Sequence, residues 1–167
     1  YDTLERPAYW EKAYGVFDQA AGARGWTEVV DGEFQFEESD EPVRFHGLAA
    51  TGSFFTPSKL MAGKYAKSIR KYGFNQVRFL SIFVLLKSKD GKKIPEYRED
   101  ALKRFDGIFA ELKAHGIYTK ISMLFSTLWH EDYVPHADKL RKLNNTQYFY
   151  NKEHQEVYLE ALTKFLN

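Results

Sequence analysis

Three apolar segments, residues 43–50 (VRFHGLAA), 74–83 (FNQVRFLSIF) and 117–125 (IYTKISMLF), alternate with two segments of helical periodicity. Strands separated by helices pair in parallel through right-handed crossovers, so this alternation constrains the fold more than any other feature. The first intervening helix is predicted after Thr56 and Pro57, a hydroxyl cap followed by proline at the first helical position. Met61, Tyr65, Ile69 and Tyr72 make its apolar face, and Gly73 stops it. The second spans residues 100–115, with Leu102, Phe105, Phe109 and Leu112 on one face and Gly116 behind it. A last helix is capped by Asn151 and runs through Leu166, carrying Val157, Tyr158, Leu162 and Phe165.

Upstream, residues 26–30 and 33–37 flank Asp31-Gly32, a pair that suits a two-residue hairpin turn because both positions tolerate φ > 0. This reads as a β-ribbon that Pro42 is expected to end, and Trp10, Tyr14 and Phe17 give a short helix before it. The fold class is therefore α/β, a partial (β/α) barrel of about three βα units behind an N-terminal β-ribbon. Residues 1–42 hold the helix and ribbon, and residues 43–167 the first βα units packed as one domain. A closed eight-stranded barrel takes about 250 residues, and the chain has 167. Because the chain starts with Tyr1 and not Met, a larger native context is expected.

Charge and composition remove several function classes. The 24 Lys and Arg balance 23 Asp and Glu, and with the basic residues read as scattered along helices no footprint for nucleic acid or an anionic membrane is expected. The absence of cysteine excludes disulfides and thiolate chemistry. The apolar run at residues 80–86 is far shorter than the roughly 20 residues of a membrane helix. Neither GxGxxG nor a P-loop lysine spacing occurs, so no nucleotide cofactor is expected. No metal is expected either, since His130-Glu131 has Val134 where a zinc helix needs its second histidine and His136 is off register.

Several stretches, taken in order, carry a resemblance: Asp18-Gln19-Ala20-Ala21-Gly22, Val30-Asp31-Gly32-Glu33-Phe34, Arg44-Phe45-His46-Gly47, Tyr72 to Phe79 (YGFNQVRF) and Leu112-Lys113-Ala114-His115-Gly116-Ile117-Tyr118. Together they resemble the N-terminal part of cellulase-like (β/α)8-barrel glycoside hydrolases in which a small β-ribbon precedes the barrel. The resemblance implies action on β-linked polysaccharide and a secreted or periplasmic setting. It also implies two catalytic glutamates, an acid/base after the fourth strand and a nucleophile on the seventh, both beyond the third βα unit. An arginine at position 78 would hold that nucleophile, and a histidine would follow Arg78-Phe79, where this chain has Leu80.

In parallel βα units ligands meet the C-terminal ends of strands. Phe54, Phe55, Trp129 and His130 fall there, and either form an aromatic platform for a sugar ring or simply cover the barrel mouth. Arg78, inside an apolar strand, is either a substrate contact or one half of a structural ion pair. Retaining glycoside hydrolysis needs two carboxyls about 5 Å apart. Only Glu131 and Asp132 follow a strand end, and adjacent loop residues rarely converge on one bond, so no catalytic residue is assigned and the chain alone is expected to be inactive. An engineered or non-catalytic half-barrel serving assembly or ligand binding is the alternative. His46 reads as a hydrogen-bonded histidine of the core or mouth, His115 suits a helix C-terminus, and His154 reads as a surface residue. Gly63 and Gly107, mid-helix, suggest close backbone packing or space made on purpose. Open strand edges and the apolar run at 80–86 predict self-association or pairing with a complementary barrel half.

Overall fold

The structure is a computed structural model that describes residues 19–80, 85–87, 96–122 and 151–167. The expected helix before residue 18, the ends of the second and third strands, and Trp129, His130, Glu131 and Asp132 lie outside the described residues.

The ribbon opens with β1 (Thr27–Val30) and β2 (Glu33–Phe36), paired antiparallel from Val30↔Glu33 to Thr27↔Phe36. Asp31 at φ 51° and Gly32 at φ 82° make the turn, as the dipeptide predicts. The expectation that Pro42 ends the ribbon needs correction, because β3 (Ser39–Val43) adds a third strand through Phe36↔Ser39 and Phe34↔Val43. Three residues of β3, Pro42 among them, stand opposite the single Gln35, so the proline sits in a bulge on an edge strand where its missing N–H costs no ladder bond. The first barrel strand consequently starts at Gly47, not at Val43.

That strand, β4 (Gly47–Ala50), pairs in parallel with β5 (Gln76–Leu80), with Leu48 opposite Val77 and Ala49 opposite Arg78. After β5, β6 (Leu86–Lys87) and β7 (Glu96–Tyr97) form a small antiparallel pair. The main sheet is completed by β8 (Tyr118–Ser122), in the order β4-β5-β8. Ribbon and barrel strands meet in one aromatic cluster. Phe36 stacks on Tyr118 at 5.4 Å and 17°, and Phe45 meets both rings edge-on. Tyr118 Oη accepts the Gly22 N–H at 3.0 Å, and Ala21 donates to the Lys113 carbonyl at 2.9 Å, which ties the chain ahead of the ribbon to the barrel.

A 3-10 turn at Gly52–Phe55 leads into α1 (Lys59–Lys71). The cap is Ser58, whose hydroxyl accepts from Met61 N, and not Thr56; Pro57 is buried just before it. The buried face also differs from the one expected. Ala62, Ala66, Ile69 and Arg70 turn inward, while Met61 and Tyr72 are exposed, because alanines let the helix axis come close to the sheet where larger side chains would hold it off. In α2 (Glu99–Ala114), Ala101, Phe105, Ile108 and Leu112 are buried, and Leu102 and Phe109 flank them half-buried. Both helices end alike. Gly73, at φ 77°, donates to Arg70 O while Phe74 donates to Ile69 O; Gly116, at φ 70°, donates to Lys113 O while Ile117 donates to Leu112 O. These are two Schellman caps, each needing its glycine for the left-handed residue.

Phe79 is fully buried between Phe55 at 5.2 Å, Phe105 at 5.0 Å and Phe109 at 6.3 Å, so the sheet face it occupies is the helix-covered one. Burying each such ring contributes about 2 kcal/mol, which makes this the main apolar core of the barrel strands.

Residues of the chain up to 79, with 104–120, form one compact unit, and residues 80–103 with 121–167 form another. Within the second, α3 (Lys152–Leu166) carries Phe165 against Tyr97 at 5.7 Å, and the Tyr97 hydroxyl donates to Ala161 O at 3.1 Å. Arg98 N donates to Leu85 O at 2.9 Å, and Leu85 is fully buried, so this part of the apolar run at 80–86 is covered; Ser81 to Val84 lie outside the described residues.

Candidate functional site

β4 runs out at Ala50, and the 3-10 turn that follows places Phe54 and Phe55 at that C-terminal end. Phe54 lies half-buried, stacked on Tyr65 of α1 at 4.7 Å and 17°. Phe55 is 1% exposed, with Phe105 stacked on one side at 5.9 Å and Phe79 against its edge, so its faces are taken up by the core. The two neighbours therefore differ: Phe54 keeps accessible surface at the strand end, and Phe55 supports it from the core side.

Arg78 goes the other way. Successive strand residues point to opposite faces, and with Val77 and Phe79 fully buried on the helix side, exposed Arg78 belongs to the open face opposite Ala49. The structure thus separates Arg78 from the phenylalanines by the thickness of the sheet. Trp129 and His130, expected to complete the platform, lie outside the described residues.

His46 is placed before β4, not at its C-terminal end, with its ring 4.4 Å from Phe74. Its backbone is gripped by Asn75, a fully buried side chain whose Oδ1 accepts His46 N at 2.6 Å and whose Nδ2 donates to Arg44 O at 2.8 Å. His115 follows the last turn of α2, with Nδ1 2.8 Å from Glu111 O and 4.0 Å from the Glu111 carboxylate, as a cation-favouring helix end invites. A recess of about 480 Å³ lies beside Trp26, Phe109, Lys113, Ile117 and Tyr118. It borders the start of β8, at the opposite end of the strand from where βα ligands bind.

No Asp or Glu occurs from Pro42 to Lys89, so the ends of β4 and β5 present no carboxylate, whereas that stretch carries nine Lys or Arg. Between Arg24 and Arg44 the pattern inverts, with seven carboxylates and no Lys or Arg. The near-zero net charge conceals this segregation, and a running tally of charge along the chain would have revealed it. Among the described residues, no group of three His, Asp or Glu stands close enough to hold a metal ion, and no helix is long and apolar enough to cross a membrane. Burial, with Tyr158 alongside, raises the Tyr97 phenol pKa well above its ordinary value.

A three-stranded ribbon followed by βα units, with the barrel sheet open in the order β4-β5-β8, defines the class: the front of a (β/α) barrel, unclosed. A solved structure of an endo-1,4-beta-mannanase from Rhizomucor miehei matches 83% of this chain with a TM-score of 0.59 at 14% sequence identity. The chain spans 41% of that enzyme's length, and the likeness is one of fold. No protein family and no curated protein matches the chain.

Proposed function

We propose that the chain supplies the first βα units of a barrel that engages β-linked polysaccharide, and that it binds sugar without hydrolysing it. The observation that carries this reading is the mannanase-like fold with an aromatic side chain, Phe54, at the C-terminal end of its first barrel strand. Pyranose C–H faces pack on aromatic faces, so Phe54 and, from the sequence, Trp129 and His130 are the side chains proposed to meet the sugar. Phe55 backs Phe54, and Arg78 serves the open face of the sheet. Hydrolysis needs two convergent carboxyls, and two of the three strand ends have none in sequence reach.

Retardation of the protein in native gels containing soluble β-mannan or β-glucan tests the reading. The expected result is retardation that Phe54→Ala and Trp129→Ala each weaken several-fold at a temperature where circular dichroism shows both variants folded. Equal mobility in gels with and without every β-linked glycan would count against it.

A further inference from the structure

The charge segregation acquires a shape in the fold. On β1 and β2, Glu28 pairs with Gln35 and Val30 with Glu33, and strand alternation puts these on the face that also carries Trp26. The opposite face holds Thr27, Phe36, Val29 and Phe34, and Phe36 packs inward there. That ribbon face thus carries the Glu28 and Glu33 carboxylates beside an indole that is 81% exposed.

On α1 the signs reverse. Leu60, Lys64 and Lys67 recur at helical spacing and fall on one exposed stripe, opposite buried Ala62, Ala66 and Ile69. Leu60 is 69% exposed at the head of that stripe, and the helix itself contains no acid, the Glu111 carboxylate of α2 lying beside Gly63. One chain therefore displays two exposed surfaces of opposite sign, each with a large apolar side chain at hand.

We infer that these two surfaces are complementary halves of one contact, so that the acidic ribbon face of one copy docks on the basic stripe of α1 of a second copy. Like-signed surfaces would repel copies of the same face, which disfavours ribbon on ribbon or helix on helix and leaves ribbon on helix, in either a reciprocal two-fold or a head-to-tail arrangement. Trp26 and Leu60 supply the apolar burial that exposed ion pairs alone do not provide. The net charge of +1 permits this, because long-range repulsion between copies is small.

Sedimentation equilibrium of the whole chain in low and high salt reads the association directly. The weight-average mass is expected to at least double at about 20 mM salt and to fall to the monomer value at about 500 mM, where the screening length drops to about 4 Å. Two charge-reversed variants then decide the geometry. Lys64→Glu with Lys67→Glu leaves both surfaces acidic, and Glu28→Lys with Glu33→Lys leaves both basic. Each alone should be monomeric with a normal melting curve, and a one-to-one mixture should associate again. A mixture that stays monomeric, association indifferent to salt, or a wild-type chain that is monomeric throughout and binds only added anionic vesicles would each overturn the inference. Glycan retardation is read separately, so loss of one result leaves the other standing.

Discussion

Asn75 and His46 hold each other twice: the Asn75 side-chain oxygen accepts the His46 N–H at 2.6 Å, and the His46 carbonyl accepts the Asn75 N–H at 3.0 Å. With Nδ2 on Arg44 O and its own carbonyl accepting Tyr118 N at 2.8 Å, Asn75 joins the entries of β4, β5 and β8 at one buried point. Asn75→Ala would strand the His46 N–H and the Arg44 carbonyl, at about 1–3 kcal/mol each when water cannot reach them. Urea unfolding of the variant is expected to show a loss of about 3 kcal/mol. A loss under 0.5 kcal/mol, roughly the effect of an ordinary surface change, would show that the clamp is replaceable.

Much of this fold was legible in the sequence because its signals are local. Asp31-Gly32 specified the hairpin turn, Gly73 and Gly116 specified two identical helix caps, and the alternation of strand and helix specified parallel pairing. What escaped depended on tertiary context. Pro42 read as a terminator because a bulged edge strand cannot be told from a ribbon end in one dimension. The face of α1 was misread because Met61 and Tyr72 outrank Ala62 and Ala66 in hydrophobicity, whereas close approach to the sheet favours the small residues. Asn75 carried no signal of its own, since its role lies in backbone groups 29 and 31 residues away. For the candidate site, the sequence located the end of the first barrel strand, but the burial of Phe55 and the opposed direction of Arg78 follow from packing and strand alternation, which needs the register of β4 on β5.

Gly63 and Gly107 do not mark close packing. A β-carbon at Gly107 would meet nothing within 4 Å, and one at Gly63 would meet only the Glu111 carboxylate at 3.6 Å, an ordinary contact. Neither has a positive φ, so alanine fits both. Gly107→Ala and Gly63→Ala should each stabilise the fold by about 0.5–1 kcal/mol through helix propensity and reduced unfolded-state entropy. Thermal melts check this, and a lowered midpoint at Gly107 would contradict it.

Arg78 lies exposed on the open sheet face, away from Phe54 and Phe55. Arg78→Met is therefore expected to leave glycan retardation unchanged and to alter stability by no more than about 1 kcal/mol, the scale of exposed ion pairs. Retardation lost with an unaltered melting curve would instead make Arg78 a sugar contact.

Tyr97 makes stability fall at alkaline pH. Burial, then the neighbouring Tyr158, raises its pKa above the ordinary 10.0, so the folded chain holds a proton that the unfolded chain gives up. Its contribution is complete below pH ~10 and is lost as pH rises beyond that value. Urea midpoints measured up to about pH 11.5 should decline more steeply for the wild type than for Tyr97→Phe. Tyr158, also raised by burial, leaves the variant some residual slope. Parallel declines would show that Tyr97 titrates normally.

Whether the proposed barrel front engages β-linked sugar without cleaving it is read by aglycone release from a panel of chromogenic β-mannosides, β-glucosides and their oligomers. No release above the uncatalysed rate is predicted, because two convergent carboxyls are the minimum for either stereochemical course. Turnover that disappears in Glu131→Gln would overturn this and make Glu131 a catalytic acid.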